Sequence, residues 1–422
     1  MPGMQRAVGT VFFWGVIGAI GVGAVLLADA RAEDGAAPAK SSSVAPKAPA
    51  VVRGWDSVPL PPAVHKGLKW LIVSQHPNGG WSEHGGRPTK ASRSQPRGGK
   101  GYTPHIPDVG NTSIAALALF EAGNTPCSGT FQAPLRRAVE YILAEVETSK
   151  KHGLAITDRT GTQLQNKIGR YADTFLAARV LVRADGQMRT KRENARVRQA
   201  VKKVLHKIEG GQSADGSWNS EGGWAPIHST AYASQALWEA KAAGFDVDGW
   251  VLDKVERYTE RTMRTSLRPP PKPKKPVKRA GGPVVTPSPG PMVGRDAAGA
   301  AGVVLYSISQ GIEQLTRTPK ARKRYIRQIK DIEARVNTEK VLKGLGSMGG
   351  EEFISYTNIN LAMARLGGEK AARWNERMKE RLSGLQNKDG SWSGHHCITG
   401  RTAVTGLAIT TLLAERSVPR RD

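Results

Sequence analysis

The chain has 422 residues and a formal net charge of +26, with 62 lysines and arginines against 36 aspartates and glutamates. The roughly 360 residues that follow its N-terminal region exceed the usual limit for one compact hydrophobic core, which excludes a small single-core domain. The positive surplus is concentrated in residues 189–207, 261–295 and 320–330. We interpret it as solvated surface charge, and the alternative is attraction to anionic lipid head groups or wall polymers.

The N-terminus has the pattern of an export signal. Met1–Arg6 precedes an uncharged apolar run from Ala7 to Ala28, and two small-x-small cleavage sites follow, at 28–30 and 30–32. These features predict a signal peptide over residues 1–32 and a periplasmic or secreted protein. An uncleaved membrane anchor is the alternative, because the apolar run is long enough to span a bilayer. Because the chain is predicted to be exported and has no recognisable nucleic-acid-binding motif, we expect no nucleic-acid partner.

Three further segments have the composition of linkers or tails. Residues 33–60 are rich in Ala, Pro and Lys and predict a disordered spacer. Residues 265–295 are rich in Pro and Lys and predict an extended insertion, either a tolerated surface loop or a tether to an anionic membrane surface. Residues 416–422 form a basic tail. The folded domain is therefore predicted to span 61–415.

Within that domain two kinds of helix alternate. Six Ala-rich segments are apolar almost all round and predict buried helices: 111–123, 171–184, 229–244, 296–310, 356–367 and 399–413. A more charged, amphipathic helix precedes each of them: 64–74, 134–147, 193–208, 247–264, 320–341 and 369–385. Six such hairpins in order predict an all-α fold, an (α/α)6 toroid with the amphipathic helices outside.

Parallel buried helices would place all their N-terminal ends on one rim, together with the longer connections, where function is usually found. Cys127 follows a buried helix and Cys397 precedes one. A helix length of about 20 Å would then separate them, whereas a disulfide needs Cα atoms within about 7 Å. We therefore expect no disulfide between them.

Three segments repeat the pattern Q-x-x-x-G-x-W, each between an amphipathic and a buried helix. Its residues are Gln75, Gly79 and Trp81, Gln212, Gly216 and Trp218, and Gln386, Gly390 and Trp392. With Lys66-Gly67-Leu68 before the first copy, this pattern resembles the QW motif of squalene–hopene cyclases, and the hairpins resemble the prenyltransferase/squalene oxidase repeat, the terpenoid cyclase/prenyltransferase α/α-toroid superfamily. The resemblance covers about residues 63–415. It implies structural roles, with Gln tying adjacent outer helices by capping hydrogen bonds and Trp by stacking.

The catalytic motifs of those relatives are missing from this chain. The Asp-x-Asp-Asp acid of the cyclases, the Asp-Cys-Thr-Ala-Glu of oxidosqualene cyclases, the protein-prenyltransferase zinc pattern and the Gly-Cys-Gly-Glu-Gln thioester are all absent from the sequence. The buried segments also offer few aromatic side chains for stabilising carbocations. The resemblance therefore predicts a fold, and the known catalytic residues cannot be transferred.

The most unusual local string, Ser393–Arg401, contains His395, His396 and Cys397. His396 and Cys397 are candidate zinc ligands, with a third ligand from His228, Asp296 or His105. The alternatives are a structural His/Cys cluster and a Cys–His nucleophile pair. His395, His396, Cys397 and Asp296 are the catalytic candidates, and zinc is the one cofactor considered.

Carboxylates also lie near the predicted starts of buried helices: Asp108, Asp173, Asp296 and the pair Glu351–Glu352. They could act as general acids or bases, or they could simply interact favourably with the positive N-terminal ends of the helices. The candidate ligand rim is His105, Asp108, His228, Tyr356 and Arg401. We expect a non-cyclase binding or scaffold protein that holds a lipid-like or anionic ligand there. The alternative is a divergent terpenoid cyclase or transferase, or a metal-assisted lyase, that uses the His395–Cys397 rim.

Overall fold

The computed structural model describes residues 59–85, 104–218, 223, 225–266, 303–336, 338–342 and 349–417. The predicted signal peptide, Asp296 and almost all of the spacer, the insertion and the basic tail lie outside these residues. In the described part the regular structure is helical, with two isolated β-bridges and no strand. An all-α fold is thus confirmed. None of the described helices combines the length and apolarity needed to traverse a bilayer.

The helices are numbered here in chain order. They are α1 (Pro62–Val73), α2 (Val109–Glu121), α3 (Gln132–Thr148), α4 (Gln163–Ile168), α5 (Ala172–Ala184), α6 (Lys191–Gly210), α7 (Ile227–Ala242), α8 (Gly249–Ser266), α9 (Val304–Leu315), α10 (Pro319–Arg324), α11 (Ile326–Val336), α12 (Glu339–Leu342), α13 (Gly350–Leu366), α14 (Gly368–Gly384) and α15 (Arg401–Leu412), followed by a 3-10 turn, Ala414–Ser417.

Six of these helices are buried over most of their surface, namely α2, α5, α7, α9, α13 and α15. Three of them, α2, α5 and α7, are rich in alanine, which lets neighbouring backbones come close. The amphipathic helices instead bury one stripe: in α6 the buried apolar residues include Val197, Val201, Val204 and Ile208, spaced as one helix face requires. The first turn of α6 is held by a reciprocal Thr190–Glu193 capping box.

The buried helices contact one another in chain order. α2 packs on α5, α5 on α7, α7 on α9, α9 on α13 and α13 on α15, and α15 returns to pack on α2. Amphipathic helices pack against them: α3 on α2, α6 on α5, α8 on α9 and α14 on α13. The first helix, α1, contacts α15, so the two ends of the described chain meet.

Four local differences separate these helices from the sequence prediction. The fourth buried helix, predicted over 296–310, is described from Val304 and ends at Leu315. The fifth buried helix begins at Gly350, not at 356, so Glu351 and Glu352 occupy its first turn. The predicted helix 320–341 is divided into α10, α11 and α12, with a break at Tyr325, whose hydroxyl donates to Glu256 at 2.9 Å. The short α4, closed by a Thr162–Gln165 capping box, was not predicted. Cys127 and Cys397 are both free thiols.

The three Q-x-x-x-G-x-W segments make the same set of hydrogen bonds. In each, the glutamine Nε2 donates to the carbonyl of the glycine four residues later and to a carbonyl near the start of another amphipathic helix. Those helix carbonyls belong to Pro134 of α3 (2.9 Å), Val251 of α8 (2.9 Å) and Ala63 of α1 (2.8 Å). The third segment therefore links α14 to α1 across 323 residues of sequence.

The glycine and tryptophan of each segment are fixed as well. Gly79, Gly216 and Gly390 have φ near +90°, and a Cβ on any of them would lie 2.4 to 2.6 Å from a carbonyl oxygen of that other helix. Each indole nitrogen donates to the last turn of the preceding helix, at 2.7 to 2.8 Å. Each tryptophan backbone N–H donates to a threonine of the following buried helix: Thr112, Thr230 or Thr405.

Candidate metal centre

The string singled out in the sequence packs against the N-terminus of α13. The Gly350 N–H donates to the Ile398 carbonyl at 3.0 Å. A Cβ on Gly349 would lie 2.6 Å from the His396 ring, and one on Gly350 would lie 2.5 Å from Ile398. The two glycines therefore permit an approach that a larger residue would block, and they bring His396 and Cys397 to the first turn of α13.

Glu351 completes a set of three potential metal ligands. One oxygen of Glu351, one ring nitrogen of His396 and the Cys397 sulfur all lie within 4.8 Å of one another. The Glu351 side chain is fully buried, and neither carboxylate oxygen has a hydrogen bond of acceptable geometry. Burial raises its pKa to about 6, although the nearby Cys397 thiol and Ile398 N–H offset part of that effect. A buried carboxylate with no well-formed hydrogen bond is costly, and a cation would remove the cost.

Cys397 has an unusual backbone. Its φ of +57° makes it the one non-glycine residue in the left-handed region among those described. Such conformations cost energy and concentrate at functional sites. Burial and the Glu351 carboxylate raise the pKa of its thiol to about 11. Because a reactive cysteine needs its thiolate at neutral pH, this environment argues against the Cys–His nucleophile, whereas a bound cation would favour thiolate.

A second carboxylate lies behind this group. Glu352 is fully buried, accepts from the Tyr306 hydroxyl and the Gly349 N–H, each at 2.9 Å, and lies 3.8 Å from His396 Nε2. A carboxylate beside a ligating imidazole fixes the orientation of that ring. The ring of His228 lies 5.1 Å from that of Tyr306. Burial lowers the pKa of His228 to about 3, and neither ring nitrogen has a partner, but His228 is not in the group of three ligands.

A separate pair of carboxylates lies at the starts of α2 and α5. Asp108 caps α2, accepting from the Asn111 N–H at 2.8 Å, and Asp173 accepts from Gln165 Nε2 at 2.5 Å. Both lie beside Gly110, whose absent Cβ would be 3.4 Å from one and 2.7 Å from the other. Burial raises the pKa of Asp108 to about 6 and that of Asp173 to about 7, with mutual repulsion adding to the latter. The two carboxyl groups are therefore coupled, and each holds its proton to a higher pH than an exposed aspartate does.

The remaining candidates are not part of the group of three ligands. His105 and His395 are exposed. The Tyr356 hydroxyl donates to the Leu342 carbonyl at 2.7 Å inside the protein. Arg401 pairs with Asp389, donates to Ser391 and stacks over the Trp70 ring, 4.8 Å from its centre. The structure thus brings His396 and Cys397 together with Glu351, which the sequence marked only as half of a carboxylate pair.

The sequence prediction did not join Glu351 to His396 and Cys397 because it placed the start of α13 too late in the chain. With α13 beginning at 356, Glu351 would lie in a loop of unknown direction. With α13 beginning at Gly350, it lies in the first helical turn, directed at the 394–398 segment. Comparison with known proteins adds no assignment, since no family model matches the sequence and no curated protein is significantly similar to it.

Proposed function

We propose that this protein binds a zinc ion through Glu351, His396 and Cys397. The observation that carries the proposal is the Glu351 carboxylate, which is fully buried, has no hydrogen bond of acceptable geometry and has an oxygen within 4.8 Å of a nitrogen and a sulfur donor. Burying an unpaired carboxylate costs several kcal/mol unless a cation or a proton neutralises it. A metal ion satisfies all three side chains at once.

The donor set favours zinc over other ions. Carboxylate oxygen, imidazole nitrogen and thiolate sulfur together suit Zn²⁺, whereas Mg²⁺ and Ca²⁺ take oxygen donors. In a tetrahedral zinc site the ligand atoms lie about 3.3 to 3.8 Å apart, so the present group needs only a small contraction. Three protein ligands leave a fourth position open, and in such sites zinc polarises a bound oxygen or lowers the pKa of bound water.

The scaffold proposed for this centre is an (α/α)6 toroid of the prenyltransferase/squalene-cyclase type. The cyclic order of contacts among the six buried helices and the three equivalent Q-x-x-x-G-x-W segments support it. On such a scaffold the zinc centre would lie on the rim formed by buried-helix N-termini, where a lipid-like or anionic ligand could reach the open position. The N-terminal sequence supports an extracytoplasmic location for the mature protein.

Zinc content of the purified full-length chain tests the proposal. After exposure to Zn²⁺ and removal of free metal, we expect stoichiometric zinc by elemental mass spectrometry. With Co²⁺ instead, we expect the absorption band of a thiolate–cobalt bond. Glu351→Gln and Cys397→Ser should each weaken zinc binding by more than about 100-fold, because outer-sphere changes alone cost about 10- to 100-fold.

The two cysteines provide a matched control. Cys127→Ser removes the other, exposed thiol and should leave both zinc content and the cobalt band unchanged. If the wild-type chain retains no zinc, or if Cys397→Ser keeps the full cobalt band, the proposal is wrong. A scaffold role without metal would then be the better account.

A further inference from the structure

A second concave site lies at the opposite end of the buried helices. It is a cleft of about 230 Å³ lined by residues from the C-terminal halves of α5, α7 and α13 and from the end of α9 and its C-terminal flank. Along α13 alone, Arg365 in this cleft is 14 residues from Glu351, about 21 Å at 1.5 Å per residue. The cleft is therefore separate from the candidate metal centre and does not depend on it.

Four arginines line the cleft. From α5, Arg179 donates to Glu239 at 2.8 Å, and Arg183 bridges Glu239 at 3.2 Å and Glu121 at 2.5 Å. Guanidinium groups are planar and always charged, so they bind the oxygens of phosphate or carboxylate groups through paired N–H bonds. On this side of the cleft two guanidinium groups are held by surrounding carboxylates, which fixes them in place.

The opposite side repeats this arrangement. Glu313 of α9, almost fully buried, pairs with Arg317 and with Arg365 of α13, the latter at 3.2 Å. Burial and the neighbouring Arg317 lower the pKa of Arg365 despite the Glu313 charge. The residues lining the cleft thus carry four positive and two negative charges, and Glu121 adds one more carboxylate beside Arg183. Counted together, these groups leave a surplus of one positive charge.

A buried amide provides an independent observation. Gln235 of α7 lines the cleft, is 1% exposed, and donates through Nε2 to Asn358 at 2.8 Å, while its Oε1 has no partner. The Asn358 Nδ2 also lacks a partner, so the two amides can exchange orientation together and keep their mutual bond. Gln235, which lines the cleft, therefore has an unpartnered acceptor in one orientation and an unpartnered donor in the other. A partially protonated phosphate can donate its hydroxyl to the amide oxygen or accept from the amide nitrogen. A fully ionised carboxylate can only accept, so it suits the second orientation alone.

We propose that this cleft binds a phosphate group, either free phosphate or the monoester head of a phospholipid. The competing account is a structural one: arginines near helix C-termini neutralise the negative helix ends and bind the last carbonyls. Arg365 does donate to the Glu313 carbonyl at 3.2 Å. That account explains the arginines without explaining why Gln235 retains an unpartnered polar atom at the cleft wall.

Calorimetric titration of the full-length chain at low ionic strength separates the two accounts. The first probe is inorganic phosphate, and the second is a vesicle of phosphatidylcholine with or without phosphatidic acid. We expect saturable phosphate binding, weakened at least about tenfold by Arg183→Gln through loss of a charge-assisted contact. Gln235→Leu, which keeps the Arg–Glu network, should also weaken it. Binding only to the phosphatidic-acid vesicle would identify a lipid head group as the source.

Arg196 offers a matched control. It too bridges two glutamates, Glu140 at 3.1 Å and Glu147 at 3.0 Å, but on the outer helices α3 and α6. Arg196→Gln therefore makes the same change in charge and the same loss of two ion pairs, and we expect it to leave phosphate binding intact. The proposal is overturned if neither probe binds to the wild-type chain. Equal losses in Arg183→Gln and Arg196→Gln, or full binding by Gln235→Leu, would overturn it as well.

Discussion

Replacing Gln386 with leucine tests whether the third Q-x-x-x-G-x-W segment fastens the first helix to the rest of the protein. Gln386 Nε2 donates to the Gly390 and Ala63 carbonyls, both at 2.8 Å. Leucine has similar volume and no donor. At about 0.5 to 1.5 kcal/mol for each hydrogen bond, the loss is about 1 to 3 kcal/mol. Because Ala63 lies in α1, we expect that cost to appear as easier opening of α1.

Hydrogen–deuterium exchange under native conditions measures that opening directly. In Gln386→Leu, the α1 amides should exchange about 5- to 140-fold faster, the factor that corresponds to 1 to 3 kcal/mol. Gln212→Leu is the matched control, because Gln212 makes the equivalent bonds to Gly216 and Val251. It should speed exchange at the start of α8 and leave α1 protected. Unchanged α1 exchange in Gln386→Leu would refute the reasoning.

Two further predictions concern stability. Gly390→Ala should lower the free energy of unfolding, measured by urea titration, by more than about 2 kcal/mol, because φ is +91° and a Cβ would lie 2.6 Å from the Lys66 carbonyl. Gly384→Ala is the control: nothing lies within 4 Å of its Cβ, so the same titration should show no loss of stability or a small gain. Burial raises the pKa of Asp173 to about 7. Its contribution to the free energy of unfolding is therefore fully present at low pH, where the carboxyl is protonated in both the folded and the unfolded state. That contribution is lost as the pH rises from about 4 through 7. Asp173→Asn should therefore flatten the decline in unfolding free energy over that range, and an identical pH dependence in both proteins would contradict the assignment.

The helical architecture could be predicted because its signal is local. Long Ala-rich runs, capping residues and the repeated Q-x-x-x-G-x-W pattern depend on nearby residues, and the buried helices that begin at Val109, Ala172 and Arg401 start within two residues of the prediction. The start of α13 was six residues off because its first turn contains two buried glutamates. Acidic residues look like loop residues in a sequence, and only tertiary partners such as Tyr306 make their burial tolerable.

The candidate sites depended on such tertiary partners to different degrees. His396 and Cys397 were recognisable because two metal-ligand residue types stand side by side. Glu351 could not be joined to them, since the approach requires Gly349 and Gly350 to meet the 394–398 segment. The arginine cleft had no sequence signal at all, because its guanidinium groups come from helices separated by well over a hundred residues.

The return of α15 to α1 and α2 constrains the order in which the protein can complete its fold. α1 contacts α2 early in the chain, but it gains its larger helix contact, with α15, only after residues 401–412 have been synthesised and, if the protein is exported, translocated. This last contact is highly non-local, which makes it slow to form. Arg416 also donates to the Pro59 carbonyl at 3.2 Å, so the first and last described residues of the helical domain lie side by side. Because the order of helix contacts closes on itself, a chain opened at another hairpin and joined at its present ends could contain the same set of contacts.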